Sequence, residues 1–94
     1  MTDGEHIEYY ENGEIWFKCN YLGGKLNGEY ITYFTSGNIS YKENYLDDKK
    51  NGEYISYFKN GEITNKCYYI YGIEVSEIYW TSYNRNRKLE LLGL

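Results

Sequence analysis

Gly52-Glu53-Tyr54-Ile55-Ser56-Tyr57-Phe58-Lys59-Asn60-Gly61-Glu62-Ile63 decides how this chain folds, because the phrase occurs three times. Gly28-Glu29-Tyr30-Ile31-Thr32-Tyr33-Phe34-Thr35-Ser36-Gly37-Asn38-Ile39 is a second copy. Gly4-Glu5-His6-Ile7-Glu8-Tyr9-Tyr10-Glu11-Asn12-Gly13-Glu14-Ile15 is a third, with small changes. The copies open at Gly4, Gly28 and Gly52, a constant step of 24 residues. A fixed period of this size marks a stacked array whose units bury their apolar faces against one another. The units run 4–27, 28–51 and 52–75, and residues 76–94 read as a degenerate C-terminal cap. All 94 residues are expected to form one domain.

Composition points the same way. Tyr supplies 14 residues, aromatics make up 20% of the chain, and Pro is absent. Such residues favour a pleated, half-buried surface. The expected fold class is all-β: tandem 24-residue β-hairpin repeats forming one elongated, twisted antiparallel sheet. The net charge of −4 opposes direct nucleic-acid binding and makes an anionic membrane an unfavourable partner, since both need a basic face. Met1-Thr2-Asp3-Gly4-Glu5 lacks the basic and apolar regions of a signal peptide. No apolar run approaches the ~20 residues that span a bilayer. A cytoplasmic location, in a bacterial or host-cell cytosol, is expected.

Within each unit, Asn12-Gly13, Ser36-Gly37 or Asn60-Gly61 separates two alternating runs. Asn-Gly favours a two-residue type I′ turn, in which both residues need φ > 0. That loop predicts the pairs Phe34–Ile39, Tyr33–Ser40, Thr32–Tyr41, Ile31–Lys42 and Tyr30–Glu43. In the first unit it predicts Tyr10–Ile15, Glu8–Phe17 and His6–Cys19. Period-2 alternation then separates two faces. Face A carries Tyr10/Phe34/Phe58, Ile15/Ile39/Ile63, Phe17/Tyr41/Asn65, His6/Tyr30/Tyr54 and Tyr21/Tyr45/Tyr69, and is the expected core. Face B carries Ile7/Ile31/Ile55, Tyr9/Tyr33/Tyr57 and Leu22/Leu46/Ile70, with rows Lys18/Lys42/Lys66 and Glu5/Glu29/Glu53.

The links 23–27, 47–51 and 71–75 read as longer connections, the second solvated and the third, being apolar, covered. Beyond them Ile78–Tyr83 reads as a strand and Asn84-Arg85-Asn86-Arg87 as a turn. Residues 88–94 read as a closing strand or a short helix, which either caps the sheet or joins two copies as a homodimer.

These residues resemble a known family. Tyr45-x6-Gly52-Glu53-Tyr54-x2-Tyr57-Phe58-x-Asn60-Gly61-x-Ile63 resembles the MORN repeat, and more closely its bacterial variant in the YwqK-like antitoxin family. The resemblance covers residues 4 to about 88. It implies successive hairpins in a single sheet, and a non-enzymatic module that binds a protein or associates with a membrane. The positions matching the signature are Gly4, Gly28, Gly52, Gly13, Gly37, Gly61 and the aromatics between them, and none of them is catalytic.

The residues that carry chemistry are few. Cys19 and Cys67 are equivalent positions two units apart, roughly 19 Å at four strand spacings, so reduced inward thiols are expected. Glu43 holds the same position in the middle unit and is expected near the sheet end, or paired with His6 or Tyr30. His6 opposite Cys19 gives too few ligands for a zinc site. No metal, cofactor or catalytic residue is expected, and the protein is not read as an enzyme.

The expected function is binding of a protein target by a small inhibitor or antitoxin-like protein. The alternatives are an acidic, anti-CRISPR-like inhibitor of a nucleic-acid enzyme, and a phospholipid-associated or self-assembling scaffold. The expected partner surface draws on Tyr9, Tyr33 and Tyr57, on the acidic row through Glu29 and Glu53, on the repeat-breaking Trp16 and Trp80, and on the basic turn at Arg85 and Arg87.

Overall fold

The computed structural model describes residues 3–91 and 93. Its strands are β1 (Gly4–Tyr9), β2 (Ile15–Leu22), β3 (Lys25–Leu26), β4 (Gly28–Tyr33), β5 (Ile39–Leu46), β6 (Lys49–Lys50), β7 (Gly52–Tyr57), β8 (Ile63–Ile70) and β9 (Ile73–Val75). One helix, α1 (Glu77–Leu91), follows them. The strands make a single open antiparallel sheet in the order β1-β2-β4-β5-β7-β8-β9, with β3 on β2 and β6 on β5. The molecule measures 51 × 34 × 22 Å. These are the expected tandem hairpins.

The predicted register holds away from the loops. His6 lies opposite Cys19, Glu8 opposite Phe17, Tyr30 opposite Glu43 and Thr32 opposite Tyr41. It fails beside the loops, where Tyr9, Tyr33 and Tyr57 pair with Ile15, Ile39 and Ile63 across a bulge. The reason is the turn. Gly13, Gly37 and Gly61 have φ near +90°, but Asn12, Ser36 and Asn60 do not have positive φ. In the second unit Gly37 N–H donates to Phe34 O at 2.9 Å and Phe34 N–H to Asn38 O at 2.8 Å. That is a three-residue loop with a glycine bulge rather than a type I′ turn.

The bulge exchanges two rows between faces. Residues directly opposed share a face, so Ile15, Ile39 and Ile63 join the Tyr9/Tyr33/Tyr57 row on face B, not face A. The extra residue leans to face A. Trp16 meets Phe17 edge-on at 4.9 Å and Tyr10 at 6.1 Å, and Thr64 Oγ1 lies 2.6 Å from Ser56 Oγ.

Type I′ geometry is found instead in the links. Gly23-Gly24, Asp47-Asp48 and Tyr71-Gly72 each carry two successive positive φ values and connect Leu22 to Lys25, Leu46 to Lys49 and Ile70 to Ile73. The links are therefore tight turns, and stacked ones: Asp48 N–H donates to Leu26 O, Leu26 N–H donates to Asp48 Oδ1 at 2.7 Å, and Gly72 N–H donates to Lys50 O. The third link is not covered, since Tyr71 and Ile73 are exposed. Tyr71 holds φ +47°, a conformation that costs a bulky side chain but suits Asn. Tyr71→Asn is expected to raise stability by about 0.5–1 kcal/mol in urea unfolding, with an unchanged slope.

The fourth unit departs from expectation. Residues 77–91 form one helix, replacing the predicted strand 78–83, the turn 84–87 and the start of the closing segment. The part of that segment at Leu92 and Leu94 lies outside the described residues. Gly4, Gly28 and Gly52 open their strands with φ of +106°, +95° and +118°. Ser76 stands at that position and does not take this conformation. It caps a helix instead: its Oγ accepts from Tyr79 N–H at 3.1 Å, and its carbonyl accepts from Trp80 N–H at 2.9 Å. Arg85, Arg87, Lys88, Leu89 and Glu90 then favour helix continuation. Trp80 stacks on Tyr68 at 5.9 Å, which places α1 over the face-B side of β8.

Candidate functional site

A one-layer sheet leaves both faces largely open. Among the described side chains the buried ones are Cys19, Glu43, Ile55 and Tyr68, two from each face. Face A is therefore not a sealed core, and aromatic surface is available on both sides.

Face A carries a ladder of rings. Phe17 stacks on Tyr30 at 5.5 Å with planes 4° apart, Tyr30 meets Tyr45 at 6.0 Å, and Tyr41 stacks on Tyr54 at 5.9 Å. Glu43 sits within it, and its partner is neither His6 nor Tyr30. Lys50 Nζ lies 3.3 Å from Glu43 Oε2, and Tyr45 donates to the same oxygen at 3.4 Å. The lysine also lies over the rings of Tyr54 and Tyr69. Among the described residues no buried side-chain polar atom lacks a partner. His6 pairs with Glu8 at 3.3 Å, and both cysteines are free thiols.

This environment acts on the tyrosines. Burial, then the Glu43 charge and hydrogen bond, push the Tyr45 hydroxyl up to about 12. Tyr69 is pushed up to about 12 by its hydrogen bond to Cys67, by burial, and by Cys67 and Glu74. An unfolded tyrosine titrates near ~10, so between pH ~10 and ~12 the unfolded chain loses protons that the folded chain retains. Stability is fully present below that window and is expected to fall as pH rises through it. Thermal midpoints measured beside tyrosinate absorbance check this, and Tyr45→Phe should flatten the slope.

Face B holds the predicted tyrosine and glutamate rows. Tyr33 and Tyr57, with Ile39, Asn38 and the loop residues Gly37, Asn60 and Gly61, line a groove of 520 Å³ between the second and third hairpin loops. Tyr9 lies at the open end of the row and is exposed. Glu29 is exposed, while Glu53 is half-buried and lies 3.8 Å from Lys66. Glu77, one 24-residue step beyond Glu53, opens α1 instead of extending the row.

The remaining predicted residues lie elsewhere. Trp16 is exposed on the face-A side, away from the tyrosine row. Trp80 stacks between Tyr68 and Tyr83 and anchors α1. Arg85 and Arg87 are on the exposed helix surface rather than in a turn. Arg87 Nη1 donates to the Tyr83 hydroxyl at 3.2 Å, and both line a second groove of 540 Å³ with Tyr71, Tyr79, Ser82, Asn86 and Glu90. The sequence reading missed Ile39 in the first groove and Tyr71 and Tyr79 in the second. A three-residue reading of the hairpin loop would have found Ile39, and Ser76-Glu77 was the signal for the helix.

The MORN repeat variant signature matches residues 2–22, 26–47 and 50–71. The chain belongs to the MORN repeat variant family. No curated protein and no solved structure matches it significantly. MORN repeats serve as binding or scaffold modules and are in general not enzymes. The three matched segments coincide with the three hairpins, and α1 follows the last of them. Among the described residues no group of three or more His, Cys, Asp or Glu could hold a metal ion, and no helix is long and apolar enough to cross a membrane.

Proposed function

We propose that this MORN repeat chain is a protein-binding inhibitor of the antitoxin-like kind, acting in the cytosol through face B. The observation that supports the reading is the groove at Tyr33, Ile39 and Tyr57, with Glu29 and Glu53 farther along the same face. Tyrosines present large contact area at low conformational cost, and they dominate binding hot spots. The carboxylate row selects a target with a basic surface, which extends to a nucleic-acid enzyme whose phosphate channel the row would occupy. Tyr9 widens that surface and Trp16 adds a contact on the opposite face, with Arg85 and Arg87 on the exposed side of the helix and Trp80 holding the helix in place.

The test is affinity capture from host cells followed by an activity assay on the captured protein. Tyr33→Ala with Tyr57→Ala should weaken binding at least about a hundredfold, as loss of two hot-spot aromatics does, and should abolish inhibition. Glu29→Lys with Glu53→Lys should slow association. A target bound equally well by both variants, or flotation of the chain with anionic vesicles and no protein target, overturns the proposal.

A further inference from the structure

The two ends of the sheet are complementary to each other. β1 holds in the first repeat the place that β4 and β7 hold in the next two, and among the described residues it is paired on one side only. At the other end, β8 is the equivalent of β2 and β5. Those strands continue into the following repeat through Phe17–Thr32 and Lys18–Ile31, and through Tyr41–Ser56 and Lys42–Ile55. β8 makes no such pairs among the described residues. Past β7 it meets β9 through Tyr68, Tyr69 and Ile70, so the stretch from Ile63 to Cys67 is an open edge, and residues 63–66 are exposed.

Side-chain exposure follows the same interruption. Tyr9 and Leu22 are each 59% exposed, while their equivalents Tyr33, Tyr57, Leu46 and Ile70 are half-buried. At the far end Phe58 is 56% and Ile63 53% exposed, while Tyr10, Phe34, Ile15 and Ile39 are half-buried. The surplus apolar surface at each end belongs to positions that are covered inside the array.

We propose that the chain associates head to tail with further copies of itself, the β1 edge of one copy pairing antiparallel with the Ile63–Cys67 edge of the next. The register is the one the chain already makes twice internally. It sets Asn65 opposite Glu8 of the next copy and Lys66 opposite its Ile7. On face B, Lys66 then lies diagonal to Glu5 and Tyr9 of the next copy, within reach of a long side chain. Inside the chain the equivalent Lys18 sits over Tyr33 at 6.0 Å. Charge is complementary, because the β8 edge carries Lys66 and the β1 edge carries Glu5 and Glu8. Loop contacts extend too: Asn12 Nδ2 donates to Thr35 O at 2.9 Å, and its equivalent Asn60 would reach the carbonyl of Glu11 of the next copy. The occupant is a second copy because only the repeat phrase itself matches bulge, turn and charge together. Such a contact is heterologous and does not close, so it extends into short rods.

Sedimentation and light scattering of the chain over a wide concentration range test this. The average mass should climb with concentration past that of a dimer. Lys66→Glu or Glu5→Lys alone should weaken association at least about tenfold, through like charges set diagonally across the junction. Both changes in one chain should restore it. Both positions are exposed, so circular dichroism should verify an unchanged fold in every variant. A chain that stays monomeric, a dimer that does not extend, or assembly indifferent to these charges overturns the proposal.

Discussion

Lys50→Leu is expected to lower stability by about 2 kcal/mol, and adding Glu43→Cys in the same chain is expected to return most of it. Glu43 is 7% exposed, and among the described residues its carboxylate pairs with Lys50 and the Tyr45 hydroxyl. Removing the lysine leaves a charge in a place that water scarcely reaches. Breaking a fully buried pair costs about 3–5 kcal/mol, and the half-exposed lysine brings this one below that range. The double variant reproduces the first repeat, where Cys19 and Leu26 occupy the equivalent positions and Cys19 is fully buried. An apolar pair of suitable volume is neutral or better than a buried ion pair. Urea unfolding of the four chains of this cycle measures the coupling. If Lys50→Leu proves harmless, Lys50 is not what holds the carboxylate in place.

The second large effect is at Gly52. Gly52→Ala is expected to cost about 3–4 kcal/mol, and Gly28→Ala only about 1–2. Both glycines open a strand at the jog between a tight turn and the next hairpin, with φ of +118° and +95°. A Cβ at Gly28 meets nothing within 4 Å, so the cost there is conformational alone. At Gly52 it would stand 3.1 Å from the Asn44 Cβ, and Asn44 cannot easily yield because its Nδ2 donates to Glu53 O at 3.1 Å. Equal losses at the two sites would show that the contact with Asn44 is not what constrains Gly52.

The repeat and its hairpins were legible because both are local. A 24-residue step and a period-2 alternation can be read without knowing what lies across the sheet. The pairs far from the loops followed from them, as Tyr30–Glu43 and His6–Cys19 illustrate. The error at the loops was one residue, yet it moved Ile15, Ile39 and Ile63 to the other face and with them the wall of the face-B groove. A slip of one in a period of two reverses every side chain beyond it. The Glu43–Lys50 pair was hidden for a related reason. Lys50 lies opposite Tyr45 only once Asp47-Asp48 is a two-residue turn, and aspartate is a weaker I′ signal than Asn-Gly.

By itself, then, the sequence determined the β class, the three-unit array and the apolar rows, since these rest on spacing and on the side-chain alternation of a strand. Tertiary structure decided which turn is tight, where the bulges fall, and that Ser76 begins a helix whose Trp80 seats on Tyr68. Those outcomes depend on neighbouring strands. A turn must match the twist and register of the pair it joins, and a helix of mostly exposed residues needs a surface on which to rest its few rings.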